Sequence, residues 1–217
     1  MTRRANPYAF RLGYNQTWNS SFFTKNEKEQ AIYLKRNKTI RDYFSSIGLD
    51  ISRLKIEYTR NTLNINVYVT DTTVALGEGN NRINEILNSL KKIINEEKVI
   101  LKVNIIGIKN IYSDAQAIAG VIVAQLKKRL RSRAIVRDVF FRMASERENK
   151  GAKIVLRGLI DGNDMAQTKK FFWGKIPLST IDNYIDFGEA KAVTIRGVIG
   201  VKVFLNLGEK SPAKTSF

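Results

Sequence analysis

Charge of one sign cannot be buried without partners, and between Gln125 and Arg137 six of thirteen residues are cationic: Lys127, Lys128, Arg129, Arg131, Arg133 and Arg137. Only one carboxylate, Asp138, follows nearby. Any fold of this chain must therefore keep that stretch on its surface. Residues 125–142 read as a basic helix with an apolar seam of Leu126, Leu130, Ala134 and Val136, the cations covering most of the remaining circumference. A solvated helix face normally mixes both signs of charge, so this one-sided face predicts a polyanion lying against it.

The rest of the chain points the same way. Lys and Arg total 37 against 20 Asp and Glu, a net charge of +17 and a pI near 10.1, which suits nucleic acid better than a small-molecule substrate. The absence of Cys and His removes disulfides, thiolate nucleophiles, Ser-His-Asp triads and zinc sites built on thiolate or imidazole. Carboxylates, Lys, Tyr, Ser or a carboxylate-bound magnesium remain, none of them favoured, and no cofactor is expected. With 217 residues, 43% of them hydrophobic, the chain has material for two domains of about a hundred residues each. The start, MTRRANPYAFRLGY, lacks the apolar core of a secretory signal. Apolar runs such as residues 118–124 are too short to span a bilayer. A soluble intracellular protein is expected.

Residues 1–16 read as a basic tail in which Arg3, Arg4 and Arg11 meet phosphates. Tyr8, Phe10, Tyr14, Trp18, Phe22 and Phe23 either stack on bases or cover the first domain. Residues 17–110 read as that domain. A helix over 27–46, with Ile32, Leu34, Ile40, Tyr43 and Phe44 apolar, ends at Gly48. Alternating strands at 54–60 and 63–70 turn at Asn61, an amphipathic helix spans 82–96 and a strand spans 99–108. Between the second strand and that helix lies a turn of Gly77, Glu78, Gly79 and Asn80. The order resembles a type II KH module, which binds RNA through a Gly-x-x-Gly loop. Here Glu78 stands where a cation would approach the phosphates.

Residues 111–208 read as a second domain, followed by a polar tail over 209–217. Ser113 or Asp114 caps a helix through Ala115, Ile118, Val121, Ile122 and Gln125. A break near Ser132 precedes a second helix with Val136, Val139, Phe140 and Met143. Strands follow at 152–159, 167–175, 181–187, 190–197 and 201–207. Two helices and an antiparallel sheet make this an α+β domain, in which Phe171, Phe172 and Trp173 read as core or interface.

Pro177-Leu178-Ser179-Thr180, Ile185-Asp186-Phe187 and Gly197-Val198-Ile199-Gly200-Val201-Lys202-Val203 stand in the order and spacing of the small-subunit ribosomal protein S three family. Asn6-Pro7, Phe10-Arg11-Leu12-Gly13, Asp114-Ala115 and Gln125-Leu126 extend the likeness over about residues 6–209. The resemblance implies a structural, non-enzymatic protein of the small-subunit head, bound to small-subunit rRNA and touching ribosomal proteins S ten and S fourteen. It implies a place on the mRNA entrance channel, where Arg133 and Arg137 match cations that contact and help unwind message. Arg129 and Arg131 join them by proximity. It further implies a cytoplasmic bacterial ribosome or an organellar one, and no free homo-oligomer. The chain departs from the family pattern at the KH loop, at residues 159–163 and at Ala134.

Two other readings compete. Asp161, Asp164, Asp182 and Asp186 are a magnesium site on one view and turn or cap residues on the other, which their Gly- and Asn-rich surroundings favour. The second is a free KH protein that binds particular messages.

Overall fold

The computed structural model describes residues 5–24, 26–59, 62–77, 81–94 and 100–209, so the expectations placed on Arg3, Arg4, Asn61, Glu78, Gly79 and Asn80 lie outside it. The chain divides into two units, Trp18–Lys109 and a second made of residues 5–17 with 110–209. In the second unit, Asn6 opens a single helical turn, α1 (Pro7–Phe10), by accepting the Tyr8 N–H at 2.9 Å.

Trp18–Lys109 contains β1 (Ser20–Ser21), α2 (Glu27–Ser46), β2 (Ile51–Thr59), β3 (Thr62–Val69), α3 (Thr72–Leu76), α4 (Asn81–Ile94) and β4 (Ile100–Gly107). Leu63, Ile65, Val67 and Val69 of β3 are buried while the residues between them are half-exposed, the alternation of a sheet covered on one face. Ile40 and Phe44 of α2 and Ile86, Leu90 and Ile94 of α4 share its core. Ile32 and Leu34, expected within the apolar stripe of α2, are exposed, because only the C-terminal half of that helix reaches the core. The sheet order is β1-β2-β3-β4, with β2 and β3 antiparallel and β3 and β4 parallel. A parallel pair needs a crossover, which α3 and α4 supply. Gly77 ends α3 at φ +70°, and a Cβ there would stand 2.9 Å from the Cβ of Arg82, so the tight α3–α4 approach requires glycine.

In the second unit a 3-10 turn (Ile111–Ser113) leads into α5 (Ala115–Lys127) and α6 (Ser132–Ser145). There follow β5 (Gly151–Gly158), β6 (Gln167–Gly174), β7 (Asn183–Thr194) and β8 (Gly197–Glu209). The four strands form an antiparallel sheet in the order β6-β5-β8-β7. Ile118, Ile122, Leu126, Ile135, Val139 and Met143 of the helices form one core with Ile154, Leu156, Val201, Val203 and Leu205 of the strands. The strands expected at 181–187 and 190–197 fall largely in one continuous strand, β7, which ends at Thr194, so that residues 195–196 form a turn and Gly197 opens β8. Gly188 does not break it: a Cβ there would lie 2.4 Å from the backbone of Ala115, so this glycine admits the start of α5 directly onto the strand. The buried Asp186 carboxylate accepts the Ala115 N–H at 2.9 Å, and Asp114 accepts from Gln116 and Ala117 at 3.0 Å each.

Residues 5–17 do not hang free as a tail. The Arg11 side chain, expected to meet RNA, is 0% exposed. Its guanidinium donates to the carbonyls of Asn183 (2.6 Å), Thr180 (2.6 Å), Pro7 (3.1 Å), Leu178 (3.2 Å) and Pro177 (3.4 Å). Nε faces Asn183 at the start of β7, Nη1 faces Pro7 in α1, and Nη2 faces the three carbonyls of Pro177, Leu178 and Thr180 in the segment before β7; this supply of acceptors is why the cation is buried. Burial lowers its pKa. Gln16 donates to Ile185 O at 2.8 Å, Asn15 to Ile181 O at 3.0 Å and Tyr14 to Asp182 at 2.6 Å. Arg11→Ala is expected to lower stability by about 3 kcal/mol, because it strands these acceptors. Arg11→Lys should recover less than half, since an ammonium has no fork. Urea unfolding of the full chain checks this, and an unchanged midpoint would show that the network carries no stability.

Candidate nucleic-acid interface

The basic stretch is not one helix. At the end of α5 the Arg129 N–H donates to Leu126 O at 2.9 Å and the Leu130 N–H to Gln125 O at 3.4 Å, with Arg129 at φ +60°. This is a Schellman ending with arginine where glycine is usual. The reversal over residues 128–131 lets α5 and α6 lay their apolar stripes on the same sheet, whereas a straight helix would carry one of them off it. The expected seam is corrected accordingly. Leu126 and Val136 are buried, but Leu130 is 52% exposed and Ala134 is also exposed, and the buried stripe of α6 is Ser132, Ile135, Val136, Val139 and Met143.

All six cations are exposed. Lys127 closes α5, Lys128, Arg129 and Arg131 lie in the turn, and Arg133 and Arg137 lie on α6. Arg131 holds the N-cap position of α6 and makes no side-chain cap. The cap comes instead from Asp161, in the turn after β5. Its carboxylate accepts the Ser132 N–H at 2.7 Å, the Ser132 hydroxyl at 2.5 Å and Lys169 Nζ at 2.6 Å. Burial pushes the Asp161 pKa up, but the hydrogen bonds from Lys169 and Ser132 and the Lys169 charge outweigh it and hold it below the ordinary value. Asp138 pairs with Arg142 at 3.3 Å, and Arg142 also donates to the Tyr112 hydroxyl at 3.1 Å. Both carboxylates nearest the basic stretch are therefore engaged within the fold.

Arg129, Arg131 and Arg133 line a groove of about 750 Å³, and Arg196, from the β7–β8 turn, lines it too, with Nη1 donating to Gly162 O at 2.8 Å. Lys127, Lys128 and Arg137 are exposed without lining it. Sequence reasoning missed Arg196, which stands alone among neutral neighbours. The only signal was its position in a two-residue turn beside Gly197. Fixed guanidinium forks suit phosphate. Of the four aspartates considered for magnesium, Asp161 and Asp186 cap helices and Asp182 accepts from Tyr14, while Asp164 is exposed. Among the described residues no three metal-ligating side chains gather.

The cap has a pH signature. A carboxylate whose folded pKa is depressed stabilises above its unfolded pKa, near 4, and loses that contribution as pH falls through the folded value. Asp161→Asn is therefore expected to cost about 1 kcal/mol at pH 7, with the gap to the parent closing toward pH 2. Urea unfolding at several pH values checks this, and a gap independent of pH would mean that the charge of Asp161 is immaterial.

The family model described as ribosomal protein S3, C-terminal domain, matches residues 122–205. Small ribosomal subunit protein uS3 from Clostridium beijerinckii and from Clostridium tetani are each 32% identical over 216 residues, covering 99% of this chain and 96% of the relative. The uS3 of Clostridium acetobutylicum is 32% identical over 218 residues, with the same coverage. The matched domain opens inside α5 and takes in the basic turn, α6 and nearly all of the sheet, so it contains the cationic groove. With this identity sustained along the whole chain, the protein belongs to the uS3 family of small ribosomal subunit proteins.

Proposed function

We propose that this protein is a structural constituent of the small ribosomal subunit head, not an enzyme. It binds small-subunit rRNA and lines the mRNA entrance channel with its basic turn and the start of α6. The observation that carries this reading is the set of six exposed cations whose nearest carboxylates, Asp161 and Asp138, are already engaged. Phosphate neutralisation by these groups releases condensed counterions, so affinity falls with salt, by about 0.7 to 0.9 in log–log slope per contact. Such groups hold single strands without reading their sequence, and a strand so held cannot re-pair, which assists unwinding of message. Ala134 offers no charge between Arg133 and Arg137, so the unwinding contribution rests on these two and their neighbours in the turn.

On this reading Trp18–Lys109 is a type II KH module used as a platform. Its order of helix, hairpin, Gly77 turn, helix and parallel strand supports that assignment. Ribosomal proteins S ten and S fourteen are the expected neighbours of the protein as a whole, whose place is a cytoplasmic bacterial ribosome or an organellar one.

Tagged protein sedimented through sucrose gradients is expected to travel with small subunits and to stay there in high salt. Migration in the light fractions would favour the free RNA-binding reading. A second measurement separates binding from folding. Arg129→Gly relieves a left-handed arginine and is expected to leave stability unchanged or raise it by up to about 1 kcal/mol. The same change should reduce the salt slope for single-stranded RNA by about 0.7. Fluorescence anisotropy and thermal melting read the two effects, and an unchanged slope removes Arg129 from the contact set.

A further inference from the structure

The β7–β8 turn holds two residues that neither the core nor the hairpin needs. Ile195 is 86% exposed, and Arg196 beside it lines the cationic groove. Thr194 pairs with Gly197 across the hairpin, and the Thr194 hydroxyl donates to Gly197 O at 2.7 Å, so the tip is braced without them. Leu130, the exposed leucine of the α5–α6 turn, lines the same groove, as Ile195 does. Exposed aliphatic side chains between arginines have no use for a bare phosphate. They do suit the flat, apolar face of a base whose phosphate the arginines hold.

We propose that Ile195 and Arg196 complete a seat for one unstacked nucleotide of single-stranded RNA, the base lying against Ile195 and Leu130 and the phosphate held by Arg196 with Arg129 and Arg131. This rests on the RNA-binding reading above and adds the hairpin tip to it. The volume of about 750 Å³ falls within the roughly 300 to 1,000 Å³ of sites that enclose a small ligand. The bond from Arg196 to Gly162 O uses one of five guanidinium donors and places the group at the groove. The one carboxylate in the lining, Asp161, already accepts three hydrogen bonds and does not compete for the arginines. A base inside a duplex keeps both faces stacked, so the seat selects single strands.

The test uses the full chain with a fluorescent 12-nucleotide oligouridine and a blunt RNA duplex of the same length. Arg196→Ala is expected to weaken oligouridine binding about three- to tenfold and to lower the salt slope by about 0.7. Ile195→Ser should weaken oligouridine about two- to fivefold with the slope unchanged and duplex binding unaffected, since it removes apolar contact and no charge. Arg196→Lys should keep the slope. If Arg133→Ala/Arg137→Ala weakens binding while the Ile195 and Arg196 variants do not, the nucleotide seat is wrong and the wider reading stands. If none of the variants has an effect, both fail. A lower melting temperature for Arg196→Ala with an unchanged salt slope would reduce Arg196 to a brace for the turn at Gly162, and that too overturns the seat. Equal loss of oligouridine and duplex binding in Ile195→Ser would do the same for the base contact.

Discussion

Two carboxylates that reach out of the C-terminal sheet region hold both of its helices by their N-termini, and the cationic surface depends on where they hold them. Asp186 accepts the first N–H of α5, and Asp161 accepts both the N–H and the hydroxyl of Ser132 at the start of α6. The opening N–H groups of a helix have no intrahelical partner and carry the positive end of its dipole, so an acceptor supplied by another element fixes helix to sheet. Because α6 begins at Ser132, Arg131 and Arg133 flank a pinned point and Lys128 and Arg129 are confined to the turn before it. Asp161 is itself held at φ +57° and paired with Lys169, which makes the turn after β5 part of the same arrangement.

Arg129 shows the cost of that arrangement. The left-handed position of a Schellman ending favours glycine, yet an arginine stands there and lines the groove. A local penalty of about 1 kcal/mol is compatible with a folded domain and places a cation where a glycine would place none. Arg11 presents the opposite case: the same side chain, with no other charge within six residues on either side, and complete burial among five carbonyls. The difference lies in acceptors supplied by residues up to 172 positions away in the chain.

Much of the fold was legible locally. The helix over 27–46 and the break before Ser132 were visible in apolar spacing and turn chemistry, and the alternation in β2 and β3 marked a half-covered sheet. These features are set by interactions within a few residues. The misreadings share a cause. The division into strands at 181–187 and 190–197 missed that Gly188 lies within one strand and admits a helix onto it; the seam through Leu130 and Ala134 was drawn across the break at Ser132; and the basic opening residues looked free because cations usually are.

The sequence by itself determined that the chain carries a large positive excess, lacks the side chains of thiol, imidazole and zinc chemistry, and matches the uS3 pattern from end to end. Charge and side-chain chemistry are properties of composition and survive any fold. Only the tertiary structure decided which cations face solvent, since burial of Arg11, engagement of Asp138 and Asp161, and recruitment of Arg196 to the groove depend on what distant segments bring alongside. A guanidinium is the same group everywhere along the chain, and what differs is the number of acceptors that the fold places within about 3 Å of it.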